Sequence, residues 1–312
     1  MDHGKPGMVI AHLAPFSGGA AQGKLGLTDW SWDPTVLLGL ALLVAVYVVG
    51  VRRGLLRNDD DTAPWFTRAA LRPWFFAAGI LSGFLALQSP IDTGGDDFLL
   101  SLHMIQHLVL MMVSPPLVLL GIAGMRSLPD NIAPRWRALW TFITRPWPAT
   151  FIFNAVLLIW HIPSWYDATL TTPWIHIVEH LTFIGVGVIF WWPIVDPLRG
   201  ARTKPVSPFV KMGMLGLAGI PPTVLGFLFA LIGTPAYQFY ARAPRLWGLS
   251  AVQDQQIAGV IMFGLGNIVY FVAISIIFLR LLGNPADDEA EVERSERTRA
   301  EVERPSAEHH PV

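Results

Sequence analysis

The sequence contains no cysteine among its 312 residues. This absence excludes disulfide frameworks, thiolate nucleophiles, cysteine-ligated zinc and iron–sulfur clusters. Charged residues make up only 14% of the chain, whereas a soluble domain carries about a quarter. The formal net charge is −1, so nothing indicates nucleic acid as a partner. Because 53% of the residues are hydrophobic and the mean hydropathy is +0.46, the chain is predicted to be an all-α integral membrane protein.

Seven apolar stretches reach or approach the roughly 20 residues that a helix needs to cross a bilayer. They are residues 34–51, 73–91, 98–122, 148–162, 174–195, 208–232 and 255–282. No apolar stretch typical of a secretory signal peptide precedes them. We therefore predict three parts: a flexible extracytoplasmic segment over 1–33, a bundle of seven transmembrane helices over 34–282, and a charged, disordered cytoplasmic tail over 283–312.

Basic residues lie mainly on one side of the predicted bundle. The loops after spans one, three and five carry Arg52, Arg53, Arg57, Arg68, Arg72, Arg126, Arg135, Arg137, Arg145, Arg199, Arg202 and Lys204. The opposite side carries Lys5, Lys24, Arg242 and Arg245. The positive-inside rule then predicts an outside N-terminus and a cytoplasmic C-terminus, which seven spans satisfy. We expect a multi-pass protein of the plasma membrane.

Histidines are concentrated near the predicted outer face. The five within or beside the spans are His103, His107, His161, His176 and His180. Ionisable side chains inside a membrane are costly and are candidates for function by default. Two of the three spans carry a pair spaced four residues apart, which places both rings of a pair on one helical face. This pattern predicts a metal or haem site, whereas His309 and His310 in the tail are assigned no role.

The two histidine pairs share the pattern His-x-x-Gln/Glu-His-Leu, as HMIQHL and HIVEHL. Both spans run from outside to inside, so the two helices are predicted to be parallel and to present their pairs at similar depth. Gln106 and Glu179 occupy the same position in the two motifs, where each is expected to contact an imidazole.

Copper is the metal that the surrounding residues favour. Met104 follows the first histidine directly, and Met111 continues the same helical face, so thioether sulfur accompanies imidazole in the absence of thiolate. Zinc is the alternative, with carboxylate help from Glu179, Asp167 or Asp254. Asp254 has two interpretations, the N-cap of its own helix or an acceptor for a histidine.

An acidic stretch follows the second span. Asp92, Asp96 and Asp97 are predicted to form an acidic loop at the outer surface, for which attraction of cations is one interpretation and a solvated turn is the preferred one.

Four motifs together resemble one family. HMIQHLVLMMVSPPLVLLG, WHIPSWYDATL, HIVEHLTFIGVGVIFWWPIVDP and DQQIAG are similar to motifs of the seven-helix CtaG family of cytochrome c oxidase assembly factors. The resemblance covers residues 34–282 and implies a role in making a haem–copper oxidase, through copper insertion rather than catalysis. An oxidase subunit and an extracytoplasmic copper donor are the partners that we expect. The motif positions of the family fall on His103, His107, His161, His176, His180 and Asp254.

Three other functions fit part of this pattern. An intramembrane zinc hydrolase would use three histidines, an acid and a metal-bound water. A haem protein would ligate iron between spans three and five, although parallel helices suit this arrangement less well than antiparallel ones. A metal-free scaffold for oxidase assembly would use the histidines only as polar contacts between helices.

Overall fold

A computed structural model describes residues 24–55, 70–124, 133–197 and 206–283. These residues form helices and connecting turns, and no strand occurs among them. The helices are α1 (Pro34–Arg52), α2 (Arg72–Gln88), α3 (Pro90–Asp97), α4 (Leu100–Leu108), α5 (Ser114–Gly121), α6 (Pro134–Ile143), α7 (Pro146–Trp160), α8 (Pro163–Thr171), α9 (Pro173–Val195), α10 (Pro208–Leu231), α11 (Gln238–Arg242), α12 (Ala251–Val260) and α13 (Gly266–Gly283). Two π-helical segments, Val109–Val113 and Ile261–Leu265, connect α4 to α5 and α12 to α13. The predicted segments 1–33 and 283–312 lie largely outside the described residues.

Five helical stretches are long and apolar enough to cross a membrane singly. They are Pro34–Arg52, Leu100–Gly121, Pro173–Val195, Pro208–Leu231 and Ala251–Leu282. Two bent pairs, α2 with α3 and α6 with α7, reach the required length only when each pair is taken together. The described residues therefore contain five to seven candidate spans, as a multi-pass membrane protein requires.

The second and fourth predicted spans are broken, both at a residue that precedes proline. Ser89, before Pro90, has extended backbone angles, and the chain bends by 40° between α2 and α3. Arg145, before Pro146, is also extended, and α6 meets α7 at 77°. Proline clashes with a helical conformation at the preceding residue, so each of these helices ends there and a new one begins.

The acidic stretch after the second span is not a solvated turn, contrary to the sequence-based interpretation. It forms α3, which Ser89 begins by accepting a hydrogen bond from the Ile91 amide. Asp92 is only 3% exposed. Its Oδ1 accepts a 2.7 Å hydrogen bond from Gln106 Nε2 on α4. This hydrogen bond offsets part of the cost of burying the carboxyl group.

The core of the bundle lies between α5, α7, α9, α10 and α13. Its largest fully buried side chains include Phe153, Phe183, Phe190, Met214 and Leu215. By contrast, none of the α1 residues is buried, and α1 contacts α2 along one side. An apolar helix with no buried face suits a position against lipid.

Candidate metal centre

Helices α4 and α9 begin at the same end of the bundle, which we call the histidine end. Each helix places its histidine pair within its first turns, and the two pairs meet. The ring centroids of His103 and His176 are 5.4 Å apart, and those of His107 and His180 are 5.6 Å apart. The predicted parallel arrangement of the two motifs is therefore what the structure contains.

Four side chains form a ligand set that we call the His/Glu group: His103, His176, Glu179 and His180. One ligand atom from each lies within 4.8 Å of every other, and all four residues are buried. Ligands held at 2.0 Å by a tetrahedral ion would be about 3.3 Å apart, so movements of about 1 Å would close the group around a metal. Concentrating these side chains in an apolar bundle is costly unless they bind something. The group can hold a metal ion.

The two remaining predicted histidines lie outside this group, and one of them contacts it. His107 contacts both sides of it, since its ring centroid is 4.2 Å from that of His103 and its Nε2 is 3.8 Å from Glu179 Oε1. His161 ends α7 and lies farther along the bundle, where its Nδ1 is 2.7 Å from the Leu157 carbonyl oxygen. Only three of the five histidines therefore belong to the His/Glu group, and the metal-ligand roles of all five stay predictions.

Asp254 positions α4 and does not cap its own helix. Ser250 is the N-cap of α12, in a capping box with Gln253. The Asp254 carboxylate instead accepts hydrogen bonds from the Leu100 amide at 2.7 Å and the Ser101 amide at 3.1 Å. The first amides of a helix have no partners within that helix, so this carboxylate fixes the start of α4 and with it the histidines one turn later.

Gln106 and Glu179 differ in their surroundings, although they share a motif position. Gln106 Nε2 donates to Asp92 Oδ1 and, at 3.0 Å, to the Ala86 carbonyl. It therefore joins α4 to α2 and α3, and the prediction that it contacts an imidazole is wrong. Glu179 lies against His107 and within the His/Glu group, as the sequence predicted for this position. Of the other candidates, Met104 and Met111 are buried on the side of α4 and its extension that faces the bundle interior.

Two residues of the centre were not among the site residues predicted from the sequence. Asp96 Oδ1 is 3.5 Å from His176 Nε2, so α3 adds a second carboxylate beside the His/Glu group. Tyr240 of α11 has its hydroxyl 2.7 Å from His103 Nδ1. Asp96 stands in an acidic run that also fits a surface turn, and Tyr240 lies in a short helix without periodicity. The sequence holds no signal that would have separated them from ordinary loop residues.

Tyr240 determines which nitrogen of His103 is available. Its hydroxyl donates a 2.6 Å hydrogen bond to the Gly95 carbonyl, so the oxygen accepts from His103 Nδ1. The ring proton of His103 is thereby held on Nδ1, and Nε2 keeps its lone pair for a ligand. Burial, together with the nearby carboxylates of Asp96 and Asp254, keeps the pKa of Tyr240 well above its usual value, so the phenol stays protonated.

Gly95 permits this contact because it lacks a side chain. A Cβ at Gly95 would lie 3.0 Å from the backbone of His103, tighter than a side chain tolerates without movement. The backbone of α3 therefore lies directly against α4, and its carbonyl reaches Tyr240.

Comparison with known proteins supports one family. Residues 45–284 match the model of the cytochrome c oxidase caa3 assembly factor family, Caa3_CtaG. This match covers more than half of the chain, and it confirms the resemblance predicted from the four motifs.

The relatives include three mycobacterial proteins described as uncharacterized. Protein Mb0105 of Mycobacterium bovis and protein MT0111 of Mycobacterium tuberculosis are each 27% identical over 271 residues, which is 80% of this chain. Protein ML1998 of Mycobacterium leprae is 24% identical over 263 residues. The chain spans only 38% of the length of these relatives. No solved structure matches the chain.

Proposed function

This chain belongs to the cytochrome c oxidase caa3 assembly factor family, and from that premise we propose that it binds copper as cargo at the His/Glu group and delivers it to an oxidase subunit. The observation that carries the proposal is the meeting of His103, His176, Glu179 and His180, four buried ligands from two helices, within 4.8 Å. The family description by itself would also fit a protein that binds no metal.

Three histidines and a glutamate are also what the zinc hydrolase would use, so the composition of the group alone does not separate transport from catalysis. The preference for transport rests on the family and on the residues beside the group. Imidazole ligands suit copper, and thioether sulfur is available nearby from Met104 and Met111. We therefore propose a non-enzymatic role, in which copper enters and leaves by exchange of ligands.

The direction of delivery follows from the orientation predicted for the bundle. If the basic loops are cytoplasmic, the histidine end faces outward in the plasma membrane, toward an extracytoplasmic copper donor. The absence of cysteine allows a direct test with single substitutions at exposed positions, Thr28→Cys at the histidine end and Leu55→Cys at the opposite end. An impermeant maleimide added to intact cells or spheroplasts should label only Thr28→Cys. Labelling of Leu55→Cys alone would reverse the proposed direction.

The first experiment is metal analysis of the full chain purified in detergent from copper-supplemented cells. Wild type is compared with His176→Ala/His180→Ala and with the control His309→Ala/His310→Ala, which also removes two imidazoles. We expect the same copper content in wild type and the control, and the loss of about one equivalent of copper in the α9 variant. Zinc in place of copper would favour the hydrolase, and no metal in any protein would favour the scaffold.

A second experiment tests delivery in cells that lack their own copy of the protein. Complementation with wild type should restore copper content and activity of the haem–copper oxidase, and the α9 double variant should not. Equal amounts of the two proteins in the membrane are the necessary control. A fully copper-loaded oxidase with the variant would contradict delivery through this group.

A further inference from the structure

A small cavity of about 40 Å³ lies next to the His/Glu group on its interior side. Four of the nine methionines of the chain line it, together with two histidines: Met104, Met111, Met112, Met262, His107 and His161. A cavity that holds one water needs about 10–15 Å³, so there is room for a single ion without rearrangement of the helices. No aspartate or glutamate contributes to this wall among the described residues.

The two π-helical segments bring their methionines to this cavity. Met111 and Met112 belong to the first segment and Met262 to the second. Adjacent residues of an α-helix point about 100° apart, so they rarely line the same small cavity. The wider π turn reduces that angle, and both neighbours face the cavity. Such segments are rare and occur mostly at functional sites.

Local sequence explains the first π-helical segment. Pro115 cannot donate to the carbonyl of Met111, four residues earlier, and its ring would collide with that carbonyl in a regular helix. The turn widens, with the Ser114 amide bonded to the Val109 carbonyl. Trp191 Nε1 donates to the Met111 carbonyl at 3.2 Å, which holds the widened turn against α9.

Each of the two histidines that line the cavity has a ring nitrogen free to bind a ligand. His161 Nδ1 faces the Leu157 carbonyl at 2.7 Å and must donate to it, so Nε2 carries the lone pair. His161 is only 8% exposed, and within the described residues its Nε2 has no hydrogen-bond partner. Both ring nitrogens of His107 likewise find no such partner in the described part of the chain.

We propose that this cavity is a second metal site, selective for Cu(I). Thioether sulfur with neutral imidazole, without thiolate or carboxylate, is the donor set that prefers Cu(I) over Zn²⁺ or Cu(II). His107 lies between the two sites, since it lines the cavity and is 3.8 Å from Glu179. An ion can therefore pass between the two sites through the imidazole of His107. The ion would move from one ring nitrogen to the other, or the side chain would change its rotamer. That exchange rests on the proposed function, whereas Cu(I) binding in the cavity does not.

The test is an anaerobic titration of the full chain in detergent with Cu(I), against a competing Cu(I) chelator. X-ray absorption at the copper edge then reports sulfur among the ligands. The variant is Met111→Leu/Met262→Leu, which nearly conserves volume. The control is Met214→Leu, at a fully buried methionine that does not line the cavity.

We expect sulfur-bound Cu(I) in wild type and in Met214→Leu. The cavity variant should lose the sulfur signal. Its Cu(I) affinity should fall at least tenfold at the cavity site. A wild type without sulfur ligands, or a cavity variant equal to wild type, would overturn the proposal. His176→Ala/His180→Ala should keep the sulfur-bound ion. If wild type binds copper only in the cavity, the proposed delivery group fails while this proposal stands.

Discussion

The two ends of the bundle differ in where they place polar side chains. At the histidine end, histidines and carboxylates are buried between helices, and all five histidines of the described residues lie there or in the adjacent interior. The opposite end has a larger cavity of about 450 Å³, whose wall is mainly apolar and carries three basic residues, Arg72, Lys211 and Arg280, with one acidic residue, Asp196. The histidine end gathers side chains that could hold a cation, whereas basic residues outnumber the acidic one in the cavity at the opposite end.

This difference argues against a route for metal through the whole membrane. A permease would need ligands on both sides, because an ion leaving the His/Glu group must find the next donor within a few ångströms. Beyond the methionine-lined cavity, the described residues that line the larger cavity include no histidine, and Met112 and Asp196 are its only sulfur or carboxylate donors among mainly apolar and basic side chains. A protein that receives and releases its ion at one end fits assembly of a neighbouring protein better than transport.

The largest expected effect comes from Glu179→Gln. The substitution keeps the shape of the side chain and removes the carboxylate that the His/Glu group offers a metal ion. Copper affinity should fall about 100-fold, the upper end of the range for changes to residues around a metal. Chelator competition on purified protein measures the affinity. Asp196→Asn is the matched control, because Asp196 ends α9 at the opposite end with a positive φ of 51° that asparagine tolerates.

Equal loss of affinity in both variants would mean that net charge, and not the group, holds the metal. An unchanged Glu179→Gln variant would remove this carboxylate from the ligand set.

A smaller effect is expected for Tyr240→Phe. Without the hydroxyl of Tyr240, the Nδ1 atom of His103 loses its hydrogen-bond acceptor, and the ring is free to change tautomer. Metal affinity should therefore fall about tenfold. Tyr47→Phe removes a hydroxyl from a tyrosine of α1 that stacks on Phe76, far from the metal centre, and should leave the affinity unchanged. His103→Gln in the Tyr240→Phe background should then cost little more than His103→Gln alone. Fully additive losses would show that Tyr240 does not act through His103.

Much of this arrangement could be predicted from the sequence. Helical periodicity and hydropathy are local properties, so the apolar spans and the shared face of each histidine pair were predictable. The meeting of the two pairs followed from two spans predicted to run in the same direction with their pairs at a similar level. The family resemblance extended the same reasoning to function.

The contacts that could not be predicted join residues far apart in the chain. Asp254 binds amides more than 150 positions away, and no local pattern separates this role from capping its own helix. Asp92 and Asp96 resembled a surface turn because their buried partners, Gln106 and His176, lie on other helices. Gln106 and Glu179 have the same local motif, and only packing decides which of them faces the metal centre.

The smallest expected effect on metal binding comes from Asp254→Ala, which acts through stability. Two buried amides of α4 lose their acceptor, which should lower the free energy of unfolding by about 1–3 kcal/mol. Copper affinity should fall only a few-fold at temperatures where the variant is folded, because the ligands themselves are intact. Thermal unfolding in detergent, with and without copper, separates the two quantities. Ser250→Ala, which uncaps the exposed start of α12, is the control and should cost less, about 1 kcal/mol. If the two variants lose equal stability, Asp254 is an ordinary cap; if Asp254→Ala abolishes copper binding while folded, it belongs to the metal centre itself.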